Sequence, residues 1–303
     1  MHVNEKHLLV ADPGDGVKIT TLLRPNDYGA MITPDAVPLL GVNHVFGMYA
    51  PNTMDPAKDG TVGVAHRVAA GSHYYAQLEL ARCGDLFQCV PLSRCGIHCE
   101  HSWRDPVSRV LYSINRVSVG MEWAGCGWIR TNGQMPGKSG IDLTRPDLQK
   151  VGHLYWQKPT AEQIHTATLV WRAVLDRYGM PAANLIHGHG ELAHGGHELC
   201  PGPLILEALH DVTLPALLAL LGQPAPVEVY EATVLAGEPS ICEAPEDIFS
   251  EHGGTLEDDE LGRYFSADEI ERYARCGALT HEDELLQQST LAWHWNPAAL
   301  AAS

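Results

Sequence analysis

Between residues 115 and 123 apolar and polar positions alternate one by one. Val117, Val119, Met121 and Trp123 fall on one side of an extended chain, and Arg116, Ser118, Gly120 and Glu122 on the other. This predicts a strand with one apolar face and Glu122 on the opposite one. A hairpin is predicted upstream, over 72–90, where SHYYAQLEL and LFQCV flank a Cys-Gly-Asp turn at 83–85. Residues 17–49 alternate short apolar runs with Pro, Gly and Asn and read as strands and tight loops. Residues 54–63, with Pro56, Asp59 and Gly60, read as a polar loop, and 125–152, rich in Gly, Asn, Pro and Lys, as a long surface loop. After residue 160 the period becomes helical. Ile164, Ala167, Trp171, Val174, Leu175 and Tyr178 recur at helical spacing, Thr160 with Gln163 forms a capping box, and Gly179 with Pro181 ends the run. A short strand over 184–188, a loop dense in Gly and His over 189–203, and an apolar helix over 203–221, broken or kinked near Pro215, complete the pattern.

Beyond residue 222 the character of the chain changes. A Pro-containing linker leads to two short helices, 266–276 and 280–290, capped by Ser266 with Glu269 and by Thr280 with Asp283. Residues 225–303 hold 17 acids against three bases, so they carry a net −14 of the chain's −17. The expected division is therefore a near-neutral body, 1–222, and an acidic extension, 223–303, whose apolar Ile270, Tyr273, Leu285, Leu286 and Trp293 would suit a protein partner. Such acidity disfavours duplex nucleic acid and anionic lipid as partners. A composition 45% apolar and 19% charged argues against long disorder, collagen or coiled coil. The start, MHVNEKHLLVADPGDG, lacks a basic stretch followed by an apolar run, and no 18 apolar residues run uninterrupted; the expectation is a chain made in the cytoplasm without a classical signal peptide and without a membrane span.

Eight cysteines are too sparse for a disulfide framework. Cys95 and Cys99, with Cys83 and Cys89 upstream and His98 and His101 nearby, raise a zinc knot as an alternative to buried thiols. A sharper pattern is His189 at a strand end, followed in the same loop by Cys200-Pro201-Gly202-Pro203 at the mouth of a helix. Imidazole and thiolate donors held by neighbouring backbone suit tetrahedral Zn(II), and a catalytic zinc needs a third protein ligand.

In order and spacing these segments resemble the zinc-dependent N-acetylmuramoyl-L-alanine amidases of the type-2 amidase family, which includes the peptidoglycan recognition proteins. The resemblance is carried by SHYYAQLELARCGDLFQCVPL at 72–92, the His-bearing segment 96–98, INRVSVGMEW at 114–123, the helix after Thr160, and LIHGHGEL with CPGP at 185–203. It implies an α/β fold, a central mixed β-sheet flanked by helices, with zinc in a groove at the strand ends. It implies metal ligands His44, His189 and Cys200, one Zn(II) per chain; His66 is the reserve for the first ligand, and His187 shares the strand face of His189. Glu122 matches the family's proposed general base, its other reading being a surface carboxylate paired with Arg. Where the family often has Lys two residues before the third ligand, this chain has Glu198, so His197 or His194 is expected to hold the oxyanion; where it often has Tyr before the hairpin His, there is Ser72, and Tyr74 shares its strand face.

The implied reaction is hydrolysis of the amide between N-acetylmuramic acid and L-alanine in peptidoglycan or muropeptides. An endolysin or antibacterial effector would act on the cell wall after phage lysis or specialised secretion, and a recycling enzyme would stay cytoplasmic. Family members without the third ligand bind peptidoglycan and do not cut it.

Overall fold

The computed structural model describes residues 1–221 apart from 26–28, 32, 34–35, 48–49, 73, 100, 106–107, 136–137 and 193–198. The acidic extension and its two expected helices lie outside the described residues.

Six strands form the central sheet: β1 (Ile19–Thr21), β2 (Leu40–Val45), β3 (Leu78–Leu80), β4 (Leu86–Gln88), β5 (Ser118–Trp123) and β6 (His187–Gly188), in the order β6-β2-β5-β3-β4-β1. β6, β2, β5 and β3 run parallel, β4 is antiparallel to β3, and β1 is parallel to β4. The sheet is mixed, as expected, with helices on both faces. Val119, Met121 and Trp123 project from β5 into the main core, where they meet Val170, Trp171 and Val174 of helix α2 (Ala161–Tyr178). α2 begins with the anticipated capping box at Thr160 and Gln163 and ends at Gly179 in the left-handed conformation.

The other face of the sheet is covered by helix α1 (Thr61–Ala69), which overturns part of the polar loop expected over 54–63. Gly60 offers no capping side chain, but Asp59 Oδ1 accepts from the Thr61 backbone N–H and hydroxyl at 2.9 and 2.6 Å. Its Oδ2 accepts from the Arg82 backbone N–H at 2.8 Å, which ties the start of α1 to the hairpin turn. Ala65 and Val68 then bury against Phe87 and Cys89.

Residues 125–152 are likewise not the long surface loop expected. Ile129–Arg130, Leu148–Val151 and Leu154–Gln157 make a separate three-stranded sheet over its own small core of Cys126, Ile129, Met135, Ile141 and Leu148. A buried ion pair anchors it: Arg145 Nη2 donates to Asp147 Oδ2 at 2.6 Å, and Gln157 Nε2 donates to the same oxygen at 2.8 Å. Burial opposes the charge on Asp147, yet the hydrogen bonds from Arg145 and Gln157, with the charges of Arg145 and Arg82, hold its carboxyl below the usual range. The stabilisation is therefore present above the unfolded carboxylate pKa and is lost as pH falls through the folded one. Asp147→Ala takes from Arg145 its buried carboxylate partner and is expected to cost about 3 kcal/mol in urea unfolding at neutral pH, with the gap to the parent closing as acid protonates Asp147.

Residues 184–188 are only partly extended: a 3-10 turn, Ala182–Leu185, precedes the two-residue β6. A short helix α3 (His189–Leu192) follows. The apolar helix is not broken near Pro215: α4 (Pro203–Ala208) runs through a π-helical turn, Leu209–Thr213, into α5 (Leu214–Leu220), so the expected irregularity is a change of helical winding just before Pro215. By length and mean hydropathy, 1.5, Pro203–Leu220 would qualify as a membrane span, but Ile205, Leu209, Leu214 and Leu217 are committed to the core beneath α2.

Candidate metal centre

Sheet register assembles the site. His44 of β2 pairs with Glu122 of β5, and Glu122 pairs in turn with Glu79 of β3. These three side chains form a row on one face, near the C-terminal ends of parallel strands, where clefts open in α/β sheets. On the opposite face Asn43 fixes the neighbouring edge: its Oδ1 accepts from Trp123 Nε1 at 3.1 Å, and its Nδ2 donates to the His187 carbonyl at 3.2 Å. β6 is thereby held beside β2, and His189 leaves its end directly next to His44.

Cys200 reaches the same point because Gly188 has no side chain. A Cβ there would lie 2.7 Å from both Pro201 Cδ and Leu206 Cδ2, so only glycine lets the Cys-Pro-Gly loop close over β6. The Gly190 N–H donates to the Cys200 carbonyl at 2.5 Å, which seals that loop against α3. The ligand atoms of His44, His189 and Cys200 lie within 4.8 Å of one another, and among the described residues they are the group able to hold a metal. His44 Nδ1 and His189 Nδ1 face each other at 3.1 Å, close to the ~3.4 Å edge of a tetrahedron built on zinc–nitrogen bonds of about 2.1 Å. Two imidazoles and one thiol, with a fourth position left over, match the donor set of a catalytic zinc. Burial and the nearby Glu122 push the Cys200 thiol up, with the Val45 N–H working the other way; a dication at this point would reverse that balance.

The other expectations separate cleanly. His66 is exposed on α1 and takes no part in the metal group. His187 sits on β6 opposite Val42, and its ring is outside the group. Tyr74 is 53% exposed, and its carbonyl accepts from the Ser72 hydroxyl at 3.0 Å. His194, His197 and Glu198 lie outside the described residues. The cysteine knot does not form: Cys89 and Cys95 are buried thiols against the Ala65 and Ala30 carbonyls, and Cys99 packs with Leu40 and Val42.

Glu122 is half-buried and is not the surface carboxylate of its plainer reading; burial pushes its carboxyl up to about 8. Beside it Glu79 is fully buried, and desolvation followed by the charge of Glu122 raises its carboxyl well above the usual range, against the pull of Arg67. A metal on the neighbouring ligands would pull Glu122 back toward ionisation.

Two site residues were not foreseen. Glu79 lies in the hairpin segment SHYYAQLEL, to which only a strand was assigned. His98, part of the segment matched at 96–98 but given no role there, has Nδ1 2.9 Å from His44 Nε2 and Nε2 3.2 Å from Ser118 Oγ. Desolvation depresses its ring to about 3. His101 also approaches, with its ring centroid 6.3 Å from that of His189.

A family model described as N-acetylmuramoyl-L-alanine amidase matches residues 36–203. No curated protein matches the sequence. Among solved structures, selenomethionyl AmpD is 18% identical, with 68% of this chain and 97% of that one covered at a TM-score of 0.39. A mutant endolysin from Bacillus subtilis is 13% identical, covering 66% and 99% at 0.38. Drosophila PGRP-LB is 12% identical, covering 65% and 94% at 0.38.

Proposed function

The chain belongs to the N-acetylmuramoyl-L-alanine amidase family, and on that premise we propose that it is a zinc-dependent hydrolase of the amide between N-acetylmuramic acid and the L-alanine of peptidoglycan or muropeptides. The observation that carries this reading is the convergence of His44, His189 and Cys200 beside Glu122 at the strand ends. A chain that only bound peptidoglycan would have no use for a complete ligand set with a carboxylate next to it.

In this reading His44, His189 and Cys200 hold one Zn(II), which when bound supplies Lewis acidity toward the amide carbonyl and makes water acidic near neutral pH. Glu122 takes the proton that the attacking water gives up. It then returns that proton to the departing nitrogen, so the C–N bond breaks to a lactyl carboxylic acid and the free amine of L-alanine. Burial pushes the Glu122 carboxyl up and so favours the form that keeps the transferred proton, while Glu79, one strand further along the row, is itself held neutral by desolvation and by the charge of Glu122. His197 or His194 would donate to the developing oxyanion.

The test is mass spectrometry of digests of intact sacculi and of soluble muropeptides by the zinc-loaded protein. Free stem peptides beginning at L-alanine, with unmodified glycan strands, are expected. Cleavage of a glycosidic or an inter-peptide bond in place of this amide would overturn the reading. Preference between the two substrates separates a lysin or antibacterial effector from a recycling enzyme.

A further inference from the structure

The hydrogen bonds around His98 fix its tautomer. Ser118 Oγ lies 2.6 Å from the Ile114 carbonyl oxygen, an acceptor only, and so commits its hydrogen there. The same oxygen lies 3.2 Å from His98 Nε2 and must accept from it. A neutral His98 therefore has its N–H at Nε2 and a lone pair at Nδ1. That lone pair faces His44 Nε2 at 2.9 Å, which makes His44 Nε2 the donor. His44 is left with its own lone pair at Nδ1, the nitrogen turned toward His189.

We propose that His98 is a positioning residue, and that the one-way chain from His44 through His98 and Ser118 to the Ile114 carbonyl holds His44 in the tautomer able to ligate a metal. This rests on the metal reading above. The ring nitrogen of a ligating histidine that is not on the metal usually donates to a carboxylate, a carbonyl or water, which fixes orientation and raises basicity; here a second imidazole takes that place and passes the demand on to a backbone carbonyl.

Several residues seat this ring. A Cβ on Gly96 or on Gly120 would stand 2.7 Å from atoms of the His98 ring, so both positions must be glycine for the ring to lie flat across β5. Asn115 Oδ1 accepts from the backbone N–H groups of His98 and Cys99 at 2.9 and 2.8 Å, which fixes the chain that carries the ring. The chain would have no need to seat a merely packed histidine so closely.

The test combines zinc affinity, by competition with a chelator, with two-bond ¹H–¹⁵N histidine spectra of the metal-free protein. The parent is expected to show His44 and His98 both as Nε2–H tautomers. His98→Ala should weaken zinc binding by about 10- to 100-fold. His98→Gln, whose Oε1 can accept from His44 while its amide donates to Ser118, should recover most of that loss, and Ser118→Ala should fall between. Should His98→Ala fail to fold, the parent spectrum and the other two variants carry the decision. A parent His44 in the Nδ1–H form, or zinc affinity changed by less than about twofold in His98→Ala, would overturn the proposal. A parent with the expected tautomers that takes up no zinc overturns the metal reading itself, and the positioning role with it.

Discussion

Cys200→Ser is expected to leave a folded protein that neither retains zinc nor hydrolyses muropeptides. The substitution removes little volume, and the loop that carries residue 200 is held by the backbone bond to Gly190 and by packing of Pro201 on Gly188, neither of which needs the sulfur. What changes is the donor. A cysteine gives up its proton to bind zinc as thiolate, whereas a serine hydroxyl does not do so readily and offers only a weak neutral ligand. Affinity should drop by more than about 100-fold, beyond the usual effect of losing an outer partner of a ligand. Metal content after dialysis, with circular dichroism as the check on folding, decides the matter; a variant that keeps its full zinc would remove Cys200 from the ligand set.

For Glu122→Gln the expectation is a split between activity and stability. Turnover on muropeptides should fall by about 10²- to 10⁴-fold, the scale of a lost proton-transfer group, with zinc content unchanged. The metal-free melting temperature at neutral pH should hold or rise, because burial pushes the Glu122 carboxyl up to about 8 and a neutral amide removes the cost of protonating or desolvating that carboxylate on folding. Kinetics at matched metal loading, together with thermal unfolding, separate the two effects. Unchanged turnover would return Glu122 to a structural role, and a large loss of stability would show that the carboxylate supports the sheet.

Much of this was legible in the residues because local rules govern it. Alternation marked β5, and the spacing from Ile164 to Tyr178 with its capping box marked α2. The proposed ligands were reached through ordered segments of a family pattern, not through periodicity. What escaped depends on contacts across the chain. α1 has Ala65 and Val68 at helical spacing, but it starts on a glycine, its first turn lacks acids, and its anchor Asp59 finds Arg82 only after folding. The small sheet over 129–157 is built from polar, turn-rich sequence whose pairing is set by a buried Arg-Asp-Gln cluster. His98 meets His44 across 54 residues, and only the register of β2 on β5 brings Gly120 under its ring.

The edge strand β6 is two residues long and is hydrogen-bonded only to β2 among the described strands, yet it delivers His189, a proposed ligand that stands 145 residues from His44 in sequence. A metal there would act as a cross-link between the first and last strands of the parallel run. The entropy of closing so large a ring grows only with the logarithm of its length, so the ion's binding energy would serve mainly to clamp a margin that two residues of ladder secure weakly. The cofactor of the reaction would then double as the fastener of the sheet, and chelation would first fray β6 and the loop leading to Cys200, while the α2-backed centre of the sheet stayed closed.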